Sequence, residues 1–125
     1  MPGEAQALRD AVHAYLAAFE RGDPEAVVAL FAEDATVEDP VGTPLRLGLD
    51  AIREFYAASI ATGAKLCLQG PIRAAAPFAA FAFDVRLHHG GADLVIEVTD
   101  MFRFDEAGRI SEMKAHLRFS NMRGA

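Results

Sequence analysis

Apolar residues recur at three- and four-residue steps through the first half of the chain and at two-residue steps through the second. The first spacing belongs to amphipathic helices and the second to half-buried strands. From about Glu4 to Glu20, Leu8, Val12, Tyr15, Leu16 and Phe19 share one helical face, with Arg9, Asp10 and His13 off it. Arg21-Gly22 closes this helix, glycine being suited to the left-handed residue after a helix end. Asp23 as cap and Pro24 as first helical residue open a second, running through Val27, Val28 and Leu30 to about Phe31. Ala35 to Asp39 reads as a short strand stopped by Pro40, followed by a loop from Gly42 to Gly48. A third helix, capped by Asp50, sets Ile52, Phe55, Tyr56 and Ser59 along one side.

Period two begins at Lys65. It predicts a strand over Lys65–Ile72 and a second with Phe81, Phe83, Val85 and Leu87 facing inward. His88-His89-Gly90-Gly91 marks a hairpin turn into a strand from Leu94 to Phe104, and Asp105 to Gly108 marks the next turn. The last strand turns Met113, Ala115, Leu117 and Phe119 one way and Glu112, Lys114, His116 and Arg118 the other. Helices first and strands afterwards predict an α+β fold, a curved antiparallel sheet with the three helices on one face. The 125 residues form one domain in this reading.

Three polar side chains fall where the pattern calls for hydrocarbon. On the strand ending at Phe104, Asp100 sits among Leu94, Ile96, Val98, Phe102 and Phe104, while Val95, Glu97, Thr99, Met101 and Arg103 face the other way. Burying a carboxyl can raise its pKa by about 3–5 units. Each unit is worth about 1.4 kcal/mol, against a domain stability of about 5–15 kcal/mol. Asp100 is therefore neutral, partnered, or turned outward by a bulge. Tyr15 lies on the apolar face of the first helix, as a core tyrosine with its hydroxyl at the surface or as a site residue. Asp39 shares parity with Val37 and Val41, and Asp-Pro is also ordinary turn chemistry. Together, two carboxyls and a phenol in an apolar pocket suit proton transfer on a small hydrophobic substrate.

Composition narrows the field. A net charge of −6 without any Lys/Arg run excludes a nucleic-acid surface. The most apolar segment, Ala74 to Phe83, is broken by Pro77 and is half the length of a membrane span, so no membrane association is expected. Met-Pro-Gly-Glu-Ala-Gln at the start has neither a basic region nor an apolar core, so no secretory signal is expected. The single cysteine, Cys67, reads as a small buried hydrophobe in a reducing, cytoplasmic setting. Adjacent His88 and His89 point apart on a strand and hold no metal, and His13 and His116 fall on solvent faces.

The segments Phe31–Gly42, Ala51–Tyr56, Gly70–Arg73 and Asp100–Arg109, with the order and spacing of Tyr15, Asp39 and Asp100, resemble the bacterial ketosteroid isomerases. These belong to the SnoaL-like superfamily shared with nuclear transport factor two and polyketide cyclases. The resemblance implies a cone-shaped half-barrel with the helices on its concave face, a homodimer, a deep apolar pocket and no cofactor or metal. It implies that Asp39 carries a proton from C4 to C6 of a 3-oxo-Δ5 steroid. It implies further that Tyr15 and a protonated Asp100 donate hydrogen bonds to O3 of the dienolate, the neutral acid being an established feature of the family. Tyr56 would support the catalytic phenol, and Phe83, Val98, Met113 and Leu117 would line the steroid slot. Two positions depart from the pattern. Leu117 stands where an aromatic is usual, and Phe31 where some members have tyrosine. The alternatives are a polyketide cyclase or hydrolase on the same scaffold, or a binder of steroids or other lipids. Two carboxyls on pocket-facing positions favour catalysis over binding, because each is costly to desolvate.

Overall fold

A computed structural model describes residues 2–117 and 122–124. Helix α1 (Pro2–Glu20) buries Leu8, Val12, Tyr15 and Phe19 as their spacing requires. Gly22, at φ 71°, turns the chain into α2 (Pro24–Val28), whose cap is the Asp23 carboxylate accepting from the Ala26 amide at 3.1 Å. That helix stops short of its expected end. The Leu30 carbonyl accepts instead from the Ile110 amide at 2.8 Å, which draws Phe31 into β1 (Phe31–Glu38). A short strand absent from the sequence reading, β2 (Arg46–Leu47), then pairs with β1. Helix α3 (Leu49–Ala61) is capped by Gly48 at φ 87°, not by Asp50. Asp50 lies in the first turn, where its charge suits the helix dipole and its carboxylate accepts from Arg53 at 2.9 Å.

The remaining strands are β3 (Lys65–Ala75), β4 (Phe78–His89), β5 (Ala92–Phe104), β6 (Ile110–His116) and β7 (Met122–Gly124). Their order is β2-β1-β6-β5-β4-β3, with β7 also on β5. The sheet is mixed: β1 runs parallel to β6, a pairing between distant segments that local alternation cannot reveal. Both ends of the β3–β4 hairpin extend beyond the expected bounds, to Ala75 and Phe78. The β4–β5 turn is only Gly90-Gly91, both at positive φ, so His88 and His89 occupy the last two rungs of the hairpin. Phe119 and Arg118 of the expected last strand lie outside the described residues.

On β5 the inward parity is Val98, Asp100, Phe102 and Phe104, all buried, with Glu97, Thr99, Met101 and Arg103 exposed. Val95 departs from this rule. It is buried on the outer face, alongside its partner β7. Cys67 on β3 is half-buried, short of the full burial its small size suggested. Among the described residues, no helix is long and apolar enough to cross a membrane.

The core is one cluster between the helices and the inner sheet face. At its centre Phe102 is edge-on to Phe81 and Phe104, with centroids 5.1 and 6.1 Å apart, and to Tyr15 at 5.0 Å. Phe102→Ala is expected to reduce unfolding free energy by about 3–5 kcal/mol, measured by urea titration. A loss below about 1 kcal/mol would show that this ring is not the keystone of the packing.

Candidate active site

Four elements aim polar side chains into one cavity. Tyr15 comes from α1, Asp39 from the segment leaving β1, Tyr56 from α3 and Asp100 from β5, and all four line a cavity of about 190 Å³. The register explains the meeting. Asp100 shares a rung with Phe81 on β4 and Ala115 on β6, and the Ala115 carbonyl accepts from the Val41 amide at 2.8 Å. The chain just past Asp39 is thereby tied to the rung that carries Asp100.

The same ladder gives the cavity its depth. Above the Asp100 rung lie Leu68, Phe83 and Val98, then Leu66, Val85 and Ile96. Four residues of strand separate Asp100 from Ile96, about 14 Å of apolar wall. Phe83, Val98, Tyr56 and Leu117 line the cavity as expected, but Met113 does not. Met113 faces Phe102 one rung below Asp100 and is 1% exposed, so it packs under the floor. Phe19, Phe55, Ser59, Leu66, Val85 and Ile96 complete the lining and were not foreseen. Their signal was present: Phe19 follows Tyr15 by four residues, Ser59 follows Tyr56 by three, and Val85 and Ile96 continue the parities of Phe83 and Val98.

The Tyr15 hydroxyl donates to that of Tyr56 at 3.0 Å. A phenol both donates and accepts, so the pair also works in reverse, with Tyr56 donating and the Tyr15 proton turned into the cavity. Phe31 is buried against Tyr56, with centroids 5.8 Å apart, so the hydroxyl chain ends at Tyr56. Burial raises both phenols well above their ordinary pKa, and the nearby carboxyls Asp100 and Asp39 add to this.

Asp100 is the most perturbed carboxyl in the site. Its side chain is 1% exposed and its Oδ1 has no hydrogen-bond partner among the described residues. Burial pushes its pKa well above the usual carboxylate range, and the negative charge of Asp39 pushes it further. Asp39 is also raised by burial, but the positive charge of Arg46 opposes that rise. Burial and Asp39 thus both favour the protonated form of Asp100, while Asp39 keeps a counter-charge that favours its ionised form. That division suits a hydrogen-bond donor beside a proton acceptor. Among the described residues, no group of His, Cys, Asp and Glu is placed to hold a metal ion.

The sign of the pH effect follows from these directions. Protonated Asp100 is tolerated below the ordinary value of about 3.9, and stability is lost as pH rises from there through the raised folded pKa. Asp100→Asn, which cannot ionise, is therefore expected to gain stability relative to the unmodified chain as pH rises from about 4. Urea midpoints at pH 5 and pH 8 measure this. An equal difference at both values would mean that Asp100 is not buried as an acid.

Residues 12–113 match the SnoaL-like domain model. A steroid Delta-isomerase from Nocardioides simplex is 44% identical over 109 residues, covering 86% of this chain and 87% of that protein. A solved structure of SalBIII, an epoxide hydrolase/cyclase-like enzyme with a role in pyran ring formation in the polyether salinomycin, superposes with a TM-score of 0.89 at 25% identity. That alignment covers 96% of this chain and 97% of the other. By the family match over most of its length and the identity to the isomerase, the chain belongs to the SnoaL-like domain family, among its ketosteroid isomerases.

Proposed function

We propose that this enzyme converts 3-oxo-Δ5 steroids to 3-oxo-Δ4 steroids by moving one proton from C4 to C6. The observation that carries the reading is the unpartnered Oδ1 of Asp100 at the floor of an apolar cavity shared with Tyr15 and Asp39. Asp39 takes the C4 proton, and the C–H electron pair spreads into a dienolate with its charge on O3. Tyr15 and neutral Asp100 donate hydrogen bonds to that oxygen, and Asp39 returns the proton to C6 as the conjugated enone forms. No electrons are gained or lost overall, so the sequence of steps calls on no redox cofactor. The donors act where charge develops, at a site lined mostly by apolar side chains. One such donor contributes about 3–4 kcal/mol to the barrier, and a positioned base contributes about a hundred- to ten-thousandfold in rate. The apolar rungs from Phe83 and Val98 up to Val85 and Ile96 suit the long axis of a four-ring skeleton.

The decisive measurement is conjugated-enone absorbance with 5-androstene-3,17-dione. The enzyme should accelerate its appearance over buffer at micromolar concentration. Asp39→Asn should lower turnover by at least about a hundredfold with the fold retained by circular dichroism. Full turnover in that variant would refute the base assignment. Dependence on Asp39 and Asp100 without steroid isomerisation would instead move the chain toward ring-forming or hydrolytic chemistry of the kind reported for SalBIII. Tight binding of equilenin without turnover would make it a binder.

The same reading includes a homodimer formed through the outer sheet face. There Phe78 and Met101 remain 41% and 40% exposed, beside Arg103, Glu112 and Lys114. Sedimentation should give a dimer that Met101→Glu weakens. A monomer at working concentration would remove this part of the proposal.

A further inference from the structure

One cation at the cavity rim has no part in the proton relay. Arg46, half-buried on β2, is held in register opposite Val37, two residues before Asp39. Its guanidinium carbon lies 4.3 Å from the centroid of the Phe55 ring, which lines the cavity and is edge-on to Tyr56 at 5.0 Å. That is a cation–π contact with a planar group, which an arginine makes better than a lysine. From there Nη1 points to the Asp39 main-chain carbonyl oxygen at 3.5 Å, the outer limit of a hydrogen bond. At this distance the contact places a charge more than it supplies bond strength.

Among the described residues, the other groups around Asp39 offer no substitute. Helix α1 presents Tyr15, α3 presents Tyr56 and β5 presents Asp100, which are two phenols and a carboxyl. The neighbouring Glu38 carboxylate is engaged by the Gly42 amide at 2.8 Å, and β6 turns Met113 and Ala115 inward. These groups carry no positive charge to set against a carboxylate on Asp39, and burial disfavours that charge. Among the described residues, Arg46 is the group whose charge works in the opposite direction.

We propose that Arg46 is a positioning residue for the base: clamped on Phe55, it steadies the Asp39 main chain at the cavity rim and fixes a positive charge beside the carboxylate. The inference rests on Asp39 being the base. It implies a compromise at that residue. A nearby cation weakens the carboxylate as a base but keeps more of it ionised at lower pH, so the working range of the enzyme reaches further into acid.

The test compares Arg46→Met and Arg46→Lys with the unmodified enzyme across the pH profile of kcat/KM for 5-androstene-3,17-dione. The Asp39 carboxyl is titrated in parallel by carbon NMR in protein without steroid. Removing the charge should move the acid limb and the Asp39 titration to higher pH. In the methionine variant kcat/KM should fall about three- to tenfold more on the acid limb than on the plateau. Lysine should restore the position of the limb while recovering less of the plateau, because it keeps the charge but not the planar stack. If Arg46→Met does not fold, Arg46→Gln, which keeps a donor without the charge, carries the same comparison. An unmoved limb together with an unmoved Asp39 titration would overturn the proposal, whatever happens to the overall rate. If the unmodified enzyme shows no isomerase turnover, the proposed function falls, and the NMR titration alone decides whether Arg46 governs Asp39.

Discussion

Burying the Asp100 carboxyl between Phe81 and Ala115 is an energetic burden that the surrounding structure has to make tolerable. A carboxylate there would lie in a low-dielectric space with Asp39, a second acid, nearby. Desolvation and repulsion act in the same direction, and both favour the protonated form of Asp100. In the proposed reaction a neutral acid at the floor of this apolar cavity serves as a hydrogen-bond donor. Placing it takes a strand with strict alternation, because a one-residue slip of β5 would expose Asp100 and bury Thr99 or Met101. The packing of Phe102 beneath it holds that register.

The aromatic cluster serves the site as well as the core. Tyr15 is edge-on to Phe102, Phe81 and Tyr56, and these contacts set where its hydroxyl points. The Tyr56 hydroxyl then gives Tyr15 its hydrogen-bond partner among the described residues. With Phe31 packed against Tyr56 in place of a third phenol, the chain of hydroxyls is short among the described residues. Leu117 at the wall leaves less surface for ring stacking in the cavity than an aromatic would, while Phe55, stacked under Arg46, lines it as well. In the proposed mechanism both departures from the family pattern would act on the tuning of proton transfer and leave its groups intact.

Much of this was legible in the amino-acid order because it depends on local repetition. The helical spacing of Leu8, Val12, Tyr15 and Phe19 and the alternation around Asp100 are periodic signals, and burial follows them closely. The Asp23-Pro24 helix start was equally plain, since its cap is closed by the Ala26 amide three residues away. A polar residue in an apolar stripe announces itself, and Tyr15, Asp39 and Asp100 were visible for that reason.

What the sequence could not determine was everything set by contacts between distant segments. The parallel pairing of β1 with β6 ends α2 early and, with the Val41–Ala115 bond, brings Asp39 to the level of Asp100. Met113 has the same parity as Ala115, and only the floor of the cavity, one rung above, separates core from wall. Arg46 gave no periodic signal, because a two-residue strand is too short to show one. Its place over Phe55 and beside Asp39 depends on the edge pairing with β1 and the packing of α3. The sequence by itself supplied the chemical groups and the faces they occupy. Tertiary structure decided which of them share a level, because register and strand direction are properties of pairs of segments and not of either one alone.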